Sequence, residues 1–298
     1  MILMLFSSIF NYYMGTELER LYYDDRKQKI NLIFSIIINL AVLVFFKYYG
    51  FLLNTIGGII GIHIPHPELS LPIGLSFYTF RNLSYLFDIY LSKVSAQRNF
   101  LTFAVYSTMF PYTSAGPIVR YTDIETQLKQ RTINISKFGI GAELFVKGLA
   151  KKVLLADNLS VLYSSICGHP QMSVFTSWLG ILAYTMQLYF DFSGYSDMAI
   201  GLGKMLGFDF NKNFDYPYIS TSVSEFWRRW HISLGSWFRD YIYIPLGGNR
   251  VSTLKHIRNI LVVWALTGLW HVQAGISYYG VFITASSFYS KNLYFRNI

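Results

Sequence analysis

The sequence predicts an all-α polytopic membrane protein, and three observations lead there. Hydrophobic residues make up 53% of the 298 and charged residues only 14%, against about 25% charged in an ordinary soluble domain; mean hydropathy is +0.34. The apolar runs are continuous, whereas the spans of a membrane β-barrel alternate over segments of about ten residues. The cations behind the net charge of +9 collect between the apolar runs. That pattern suits positive-inside orientation and contact with anionic lipid headgroups, and no nucleic-acid motif accompanies it. A single cysteine, Cys167, excludes a disulfide framework and any cysteine-based metal centre, so no metal site is expected.

The first apolar run, Ile2 to Met14, is short for a span. It has no basic n-region and no small-residue cleavage site, so it is not a signal peptide; it starts as though an upstream portion were missing. Residues 30–59 form one long span, tilted, with Lys47 reaching toward the interface. The loop before it holds Arg20, Arg26, Lys27 and Lys29, and the loop from Asn54 to Ser70 holds no Lys or Arg. The earlier loop is therefore cytoplasmic and the later one external. His63 and His66, beside prolines in that external loop, read as solvated histidines.

Residues 71–90 return toward the cytoplasm with Arg81 and Asp88 inside the span, seven apart and so on one helix face. Charges at that depth must face protein or water, as a structural contact or as a cavity lining. Residues 100–119 end in M-F-P-Y-T-S-A-G-P-I-V-R. Two prolines and a glycine break a helix there, and basic flanks on both sides suggest a re-entrant segment. Residues 137–159 carry Lys147, Lys151 and Lys152 among apolar residues, which reads as an interfacial helix. The span 178–206 places Asp191 and Asp197 near its middle. Both are candidates for substrate or donor binding, with polar glue between helices packed at Gly194 and Gly201 as the alternative. Its G-L-G-K-M-L-G run has the wrong spacing for a nucleotide fingerprint.

The densest constellation runs from Ser222 to His271. Ser222 and Glu225 have the spacing of a capping box. After them Trp227, Trp230, Leu234, Trp237 and Tyr241 recur at helical spacing, which predicts one amphipathic aromatic helix at the membrane interface. Arg228, Arg229, His231 and Arg239 lie around that stripe. A second apolar segment, 260–270, ends at His271, so two histidines each follow a tryptophan. Imidazole is the side chain best suited to move a proton near neutral pH. No H-E-x-x-H, G-x-S-x-G or cysteine nucleophile is present, and the residues by themselves point to proton transfer or acyl transfer within a membrane.

Linked runs carry a more specific signal: L-P-I-G-L-S-F-Y-T-F, A-G-P-I-V-R-Y, D-F-S-G-Y-S-D-M-A-I-G, N-F-D-Y-P-Y-I-S, S-E-F-W-R-R-W-H-I-S-L, W-F-R-D-Y-I-Y-I-P-L-G-G-N-R and L-T-G-L-W-H. Together they resemble the membrane-bound O-acyltransferase family, in its alginate O-acetyltransferase branch, over nearly everything up to His271. The resemblance implies a ring of transmembrane and re-entrant helices around a funnel. His271 would be its catalytic histidine and His231 the second motif histidine. It implies transfer of an acetyl group from a cytoplasmic donor, acetyl-CoA, toward an extracytoplasmic polysaccharide, with an external acetyltransferase partner completing the step at the cell membrane. Arg228 and Arg229 would hold a phosphate of the donor. D-alanyl transfer to teichoic acid is the alternative within the family. A transporter built on Asp191, Asp197 and Arg81 is the alternative outside it, with no inverted repeat to support it.

After L-T-G-L-W-H the family continues G-A-S-W-N-F-x-x-W-G-x-Y, whereas this chain reads V-Q-A-G-I-S-Y-Y-G-V-F-I-T-A-S-S. With a choice among degenerate codons, one base added ahead of residue 272 turns the tail into G-A-S-W-N-F-I-L-W-G-V-Y-Y-G-I. Residues 1–271 are thus expected to form a partial acyltransferase domain. Residues 272–298 are expected to be a frameshift product, leaving the fold truncated at both ends.

Overall fold

In the computed structural model every regular element among the described residues is helical. Those residues are 2–65, 67, 69–114, 116–169 and 171–271, His271 by its backbone alone. The expected tail 272–298 and His66 lie outside them, while His63 is exposed. The chain divides into two units after Asn211.

The first unit begins with α1 (Ile2–Arg20) and α2 (Asp25–Ile60). Asp24 starts α2 by accepting from the backbone N–H of Lys27 at 3.0 Å. Among the described residues α2 is the helix long and apolar enough to cross a membrane, with a mean window hydropathy of 2.3. Residues 75–90 form α3 (Leu75–Tyr90), and α4 (Phe100–Thr108) follows. Polar side chains fasten these helices. Asn11 and Asn39 exchange amide hydrogen bonds at 2.8 and 3.0 Å, joining α1 to α2. Asn82 of α3 donates to Ser7 at 3.0 Å and accepts from Ser107 of α4 at 2.9 Å. Buried amides and hydroxyls of this kind hold helices together where apolar surface alone gives no preference over lipid.

The proline-rich stretch does break the helix. A 3₁₀ turn, Phe110–Tyr112, separates α4 from α5 (Tyr121–Lys129). Thr113 presses on Gly74 so closely that a Cβ there would come within 2.3 Å of the Thr113 carbonyl oxygen. Gly74 also has φ of +75°, a conformation glycine adopts readily. Arg81 is fully buried, its guanidinium 4.5 Å over the Tyr112 ring. Asp88, on the same face, is engaged instead by Lys93 at 3.4 Å.

Residues 135–167 extend the interfacial helix expected over 137–159 and give it a helical partner. They form α6 (Ile135–Ala150), a π turn (Lys151–Ala156) and α7 (Asp157–Cys167) in direct succession. They pack antiparallel along α8 (Val174–Met205). The reason is two glycine pairs spaced seven apart on each helix. A Cβ on Gly148 would lie 2.5 Å from the Gly194 carbonyl oxygen, and one on Gly141 would lie 2.7 Å from that of Gly201. The backbones touch, as small residues permit at helix crossings. Two of the lysines that looked interfacial pair with carboxylates on the facing helix: Lys151 with Asp197 at 2.6 Å and Lys152 with Asp191 at 2.8 Å.

The second unit starts with an extended stretch around Asn213 and a 3₁₀ turn, Pro217–Ile219. Two short helices, α9 (Val223–Arg229) and α10 (Ile232–Phe238), lead through a π turn, Arg239–Tyr243, to α11 (Thr253–His271). The single amphipathic helix expected from Ser222 to Tyr241 is therefore broken at Trp230 and His231. Asn259, fully buried, fixes the P-L-G-G turn before α11 by donating to the carbonyls of Leu246 and Gly248 at 3.1 and 3.0 Å.

Candidate active site

Helix α9 starts as its sequence predicts. The Ser222 hydroxyl accepts from the Glu225 backbone N–H at 3.1 Å. The reciprocal half of the capping box differs. The Glu225 carboxylate takes the backbone N–H and hydroxyl of Thr221, at 3.0 and 2.9 Å. Those two bonds, with Arg229 behind them, lower the Glu225 carboxyl to about 2. Arg229 is fully engaged within the unit: it donates to Glu225 at 2.9 and 3.0 Å and to the Asp215 carbonyl at 3.1 Å. Arg228, one residue earlier, is exposed.

The break after α9 is imposed from outside the helix. The stretch that carries Asn213 runs alongside residues 229–232, with Asp215 N–H donating to the Arg229 carbonyl at 2.9 Å and Ile232 N–H to the Asn213 carbonyl at 2.9 Å. These bonds hold His231 at φ of +45°, a left-handed conformation that costs a residue with a Cβ about 1 kcal/mol or more. The result turns the imidazole inward, where it is only 3% exposed. Its Nδ1 lies 3.2 Å from the Asn213 side-chain oxygen. That same oxygen accepts from the Ser233 backbone N–H at 3.2 Å and the Ser233 hydroxyl at 2.8 Å, and so caps α10.

Aromatic rings complete the enclosure. Phe214 stacks on the His231 ring at 6.4 Å between centroids, and Trp270 meets it edge-on at 6.1 Å. Trp227 of α9 meets Trp264 of α11 at 4.8 Å, so α11 is packed on the α9–α10 elbow at two levels. Trp270 precedes His271 in the chain. The two tryptophan–histidine steps of the sequence thus converge in space.

The whole length of this arrangement falls within one sequence profile, that of MBOAT, the membrane-bound O-acyltransferase family, which matches residues 1–292. The chain belongs to the membrane-bound O-acyltransferase family. Among its relatives, the probable alginate O-acetylase AlgI of Pseudomonas aeruginosa is 45% identical over 268 residues, covering 89% of this chain and 52% of that protein. The peptidoglycan O-acetyltransferase of Helicobacter pylori is 34% identical, over 89% of this chain and 55% of its own length. The teichoic acid D-alanyltransferase of Bacillus subtilis is 29% identical, over 77% and 62%. The chain spans about half the length of the alginate and peptidoglycan relatives it matches.

Of the residues singled out in the sequence, His231, Arg228, Arg229 and the end of α11 belong to the second unit, and Asp191 and Asp197 to the first. Asn213 was missed as an individual residue although its N-F-D-Y-P-Y run stood out. Its partners lie 18 and 20 positions away, beyond any local periodicity. The signal available was an asparagine opening a proline- and aromatic-rich stretch just ahead of a helix start.

Proposed function

We propose that this chain carries the acyl-transfer site of a multi-pass cell-membrane O-acyltransferase that moves an acetyl group from cytoplasmic acetyl-CoA toward an extracytoplasmic polysaccharide of the alginate type. The observation that carries the reading is the elbow at His231, where the W-R-R-W-H and L-T-G-L-W-H segments meet through the His231–Trp270 contact. The activities for which the 45% and 34% identical relatives are named support acetyl transfer in particular. In this reading transmembrane and re-entrant helices form a ring around a funnel, and an external acetyltransferase completes delivery to the polymer.

The chemistry assigned to the histidines is general base catalysis. The imidazole of His271 takes the proton of the acceptor hydroxyl as its oxygen attacks the thioester carbonyl. The tetrahedral adduct then collapses, the carbon–sulfur bond breaks, and the CoA thiolate leaves with the proton returned by the His271 imidazolium, which restores the neutral base. His231 is the second site residue. Arg228, being exposed, is the better of the two arginines to meet a donor phosphate, because Arg229 is engaged by Glu225 and Asp215. The tail 272–298 is proposed to be read out of the family's frame.

The test is complementation of cells that lack their polysaccharide O-acetylase. The strains carry this chain, a version with the tail returned to the family frame, and a full-length relative as reference. Ester-linked acetate on the polymer is expected with the restored version and is expected to vanish in its His271→Ala variant. Unchanged acetate in that variant rejects the catalytic assignment. D-alanyl ester on teichoic acid in place of acetate selects the second reading, which the 29% identical D-alanyltransferase favours. Codons at the tail that fail to give the shifted peptide overturn the frame reading.

A further inference from the structure

We infer that Asn213 is a positioning residue that fixes the protonation of His231, its side-chain oxygen holding the neutral imidazole in the Nδ1–H form so that Nε2 carries the lone pair. The inference deepens the proposed site and rests on that reading only for its functional meaning.

The first step is to decide which atom of the Asn213 amide faces the ring. Oxygen and nitrogen of an amide are told apart by their partners. The atom in question lies 3.2 Å from the Ser233 backbone N–H, which can only donate. It must therefore be the oxygen. The Nδ1 atom of His231, 3.2 Å from the same oxygen, can satisfy it only by donating, so Nδ1 carries the hydrogen. A neutral imidazole has one such hydrogen, which leaves Nε2 as the proton acceptor.

Two further observations point the same way. Asn213 is 1% exposed and its side-chain oxygen receives three donors, while its amide nitrogen has no hydrogen-bond partner among the described residues. A buried donor left without an acceptor costs free energy, so this position is using an asparagine for its oxygen. In addition, Phe214 is the next residue and stacks on the imidazole, with Trp270 against its edge. One turn of chain supplies both the acceptor and the plane that keep the ring from rotating. In water the neutral ring prefers the opposite tautomer, so the protein is selecting the minor one.

The charged groups on the packed elements do not provide an alternative cause. Asp215 on the Asn213 stretch and Arg229 on α9 are paired with each other at 3.5 Å, and Arg229 also with Glu225. His271 follows Trp270 at the end of α11.

The full chain in lipid nanodiscs, labelled with ¹⁵N at histidine, tests this through long-range proton–nitrogen correlation spectra, with His231→Gln to assign the signal. Wild type is expected to show the Nδ1–H pattern above the protonation midpoint. Asn213→Asp keeps an oxygen for all three donors and is expected to retain that pattern while raising the midpoint by about one pH unit or more, because an opposite charge in contact favours imidazolium. Asn213→Leu is expected to lose the preference. Ser233→Ala, which removes one of the three donors and leaves the ring contact, is expected to keep it. An Nε2–H pattern in wild type, or an unmoved midpoint in Asn213→Asp, overturns the inference. The second criterion holds even where Asn213→Leu fails to fold. None of these readouts needs turnover, so failure of the acetyl-transfer reading is seen separately, in the polymer.

Discussion

Two polar groups of residues sit inside this apolar chain, and they are handled in opposite ways. In the first unit each charge on α8 meets an opposite charge: Asp197 meets Lys151, and Asp191 meets Lys152. In the second unit His231 meets a neutral amide oxygen and two aromatic rings. The contrast separates fastening by paired charges from fastening by a neutral clamp. A partly buried ion pair locks two helices but holds its protons in place, because either partner alone would be stranded. The clamp on His231 holds the ring by a neutral oxygen and aromatic faces, so it does not depend on a charged partner. Asp191 and Asp197, first read as candidates for substrate binding, have the geometry of fasteners beside the glycine crossings.

The contrast can be broken by substitution. The largest effect is expected from His231→Ala, which should lower acetyl transfer in the frame-restored version by about a hundredfold or more, measured per folded protein, because emptying the space between Phe214 and Trp270 should also lower thermal stability in detergent. A variant that keeps its activity would place His231 among the structural residues. Next comes Asp197→Asn, which strands Lys151 at a position one-third exposed and should cost about 1–2 kcal/mol, between the values for exposed and buried pairs. A double-mutant cycle with Lys151→Met measures this, and an additive cycle would show that the pair does no fastening. Asp191→Asn should cost less, because Lys152 retains Asp157 at 2.6 Å; a cost equal to that of Asp197→Asn would count against the pairing described. The smallest effect is at the α9 entry. The Glu225 carboxyl is lowered from 4.5 to about 2, so its hold on Thr221 and Arg229 is complete above pH 4.5 and is lost as pH falls through 2. Fluorescence of Trp227 and Trp230 should report that transition, and Glu225→Gln should abolish it.

These regions also differ in how much of them could be read from sequence. The helix at α2, the interruption by Pro111 and Pro117, and the start of α9 at Ser222 follow from local rules of apolarity, proline and capping. The family motifs singled out His231 and His271 of the second unit's histidines. What local rules could not supply were the partners. Lys151 and Lys152 have the spacing of an interfacial helix until Gly141 and Gly148 bring α8 against them. The aromatic stripe from Trp227 to Tyr241 is helical in period, and a periodic pattern has no way to register that Asn213 will pair with the backbone in its middle. Arg81 and Asp88 share a face, yet Tyr112 and Lys93 reach them first. Except at Asp88, whose partner Lys93 is five residues on, a contact from a distant part of the chain outweighed a sound local preference.

The crossing of α6 with α8 has a consequence at the level of the gene. Four glycines, at 141, 148, 194 and 201, each face a backbone carbonyl oxygen so closely that a Cβ would sit 2.5–2.7 Å from it. Every glycine codon shares its first two bases, and a change at either one puts a side chain at the position. Eight nucleotides in this gene therefore admit no substitution that leaves the hairpin undisturbed, whereas the flanking apolar codons can drift among Leu, Ile, Val and Phe. Random mutagenesis scored only for folded protein should reveal the hairpin as four sharp gaps in an otherwise permissive stretch.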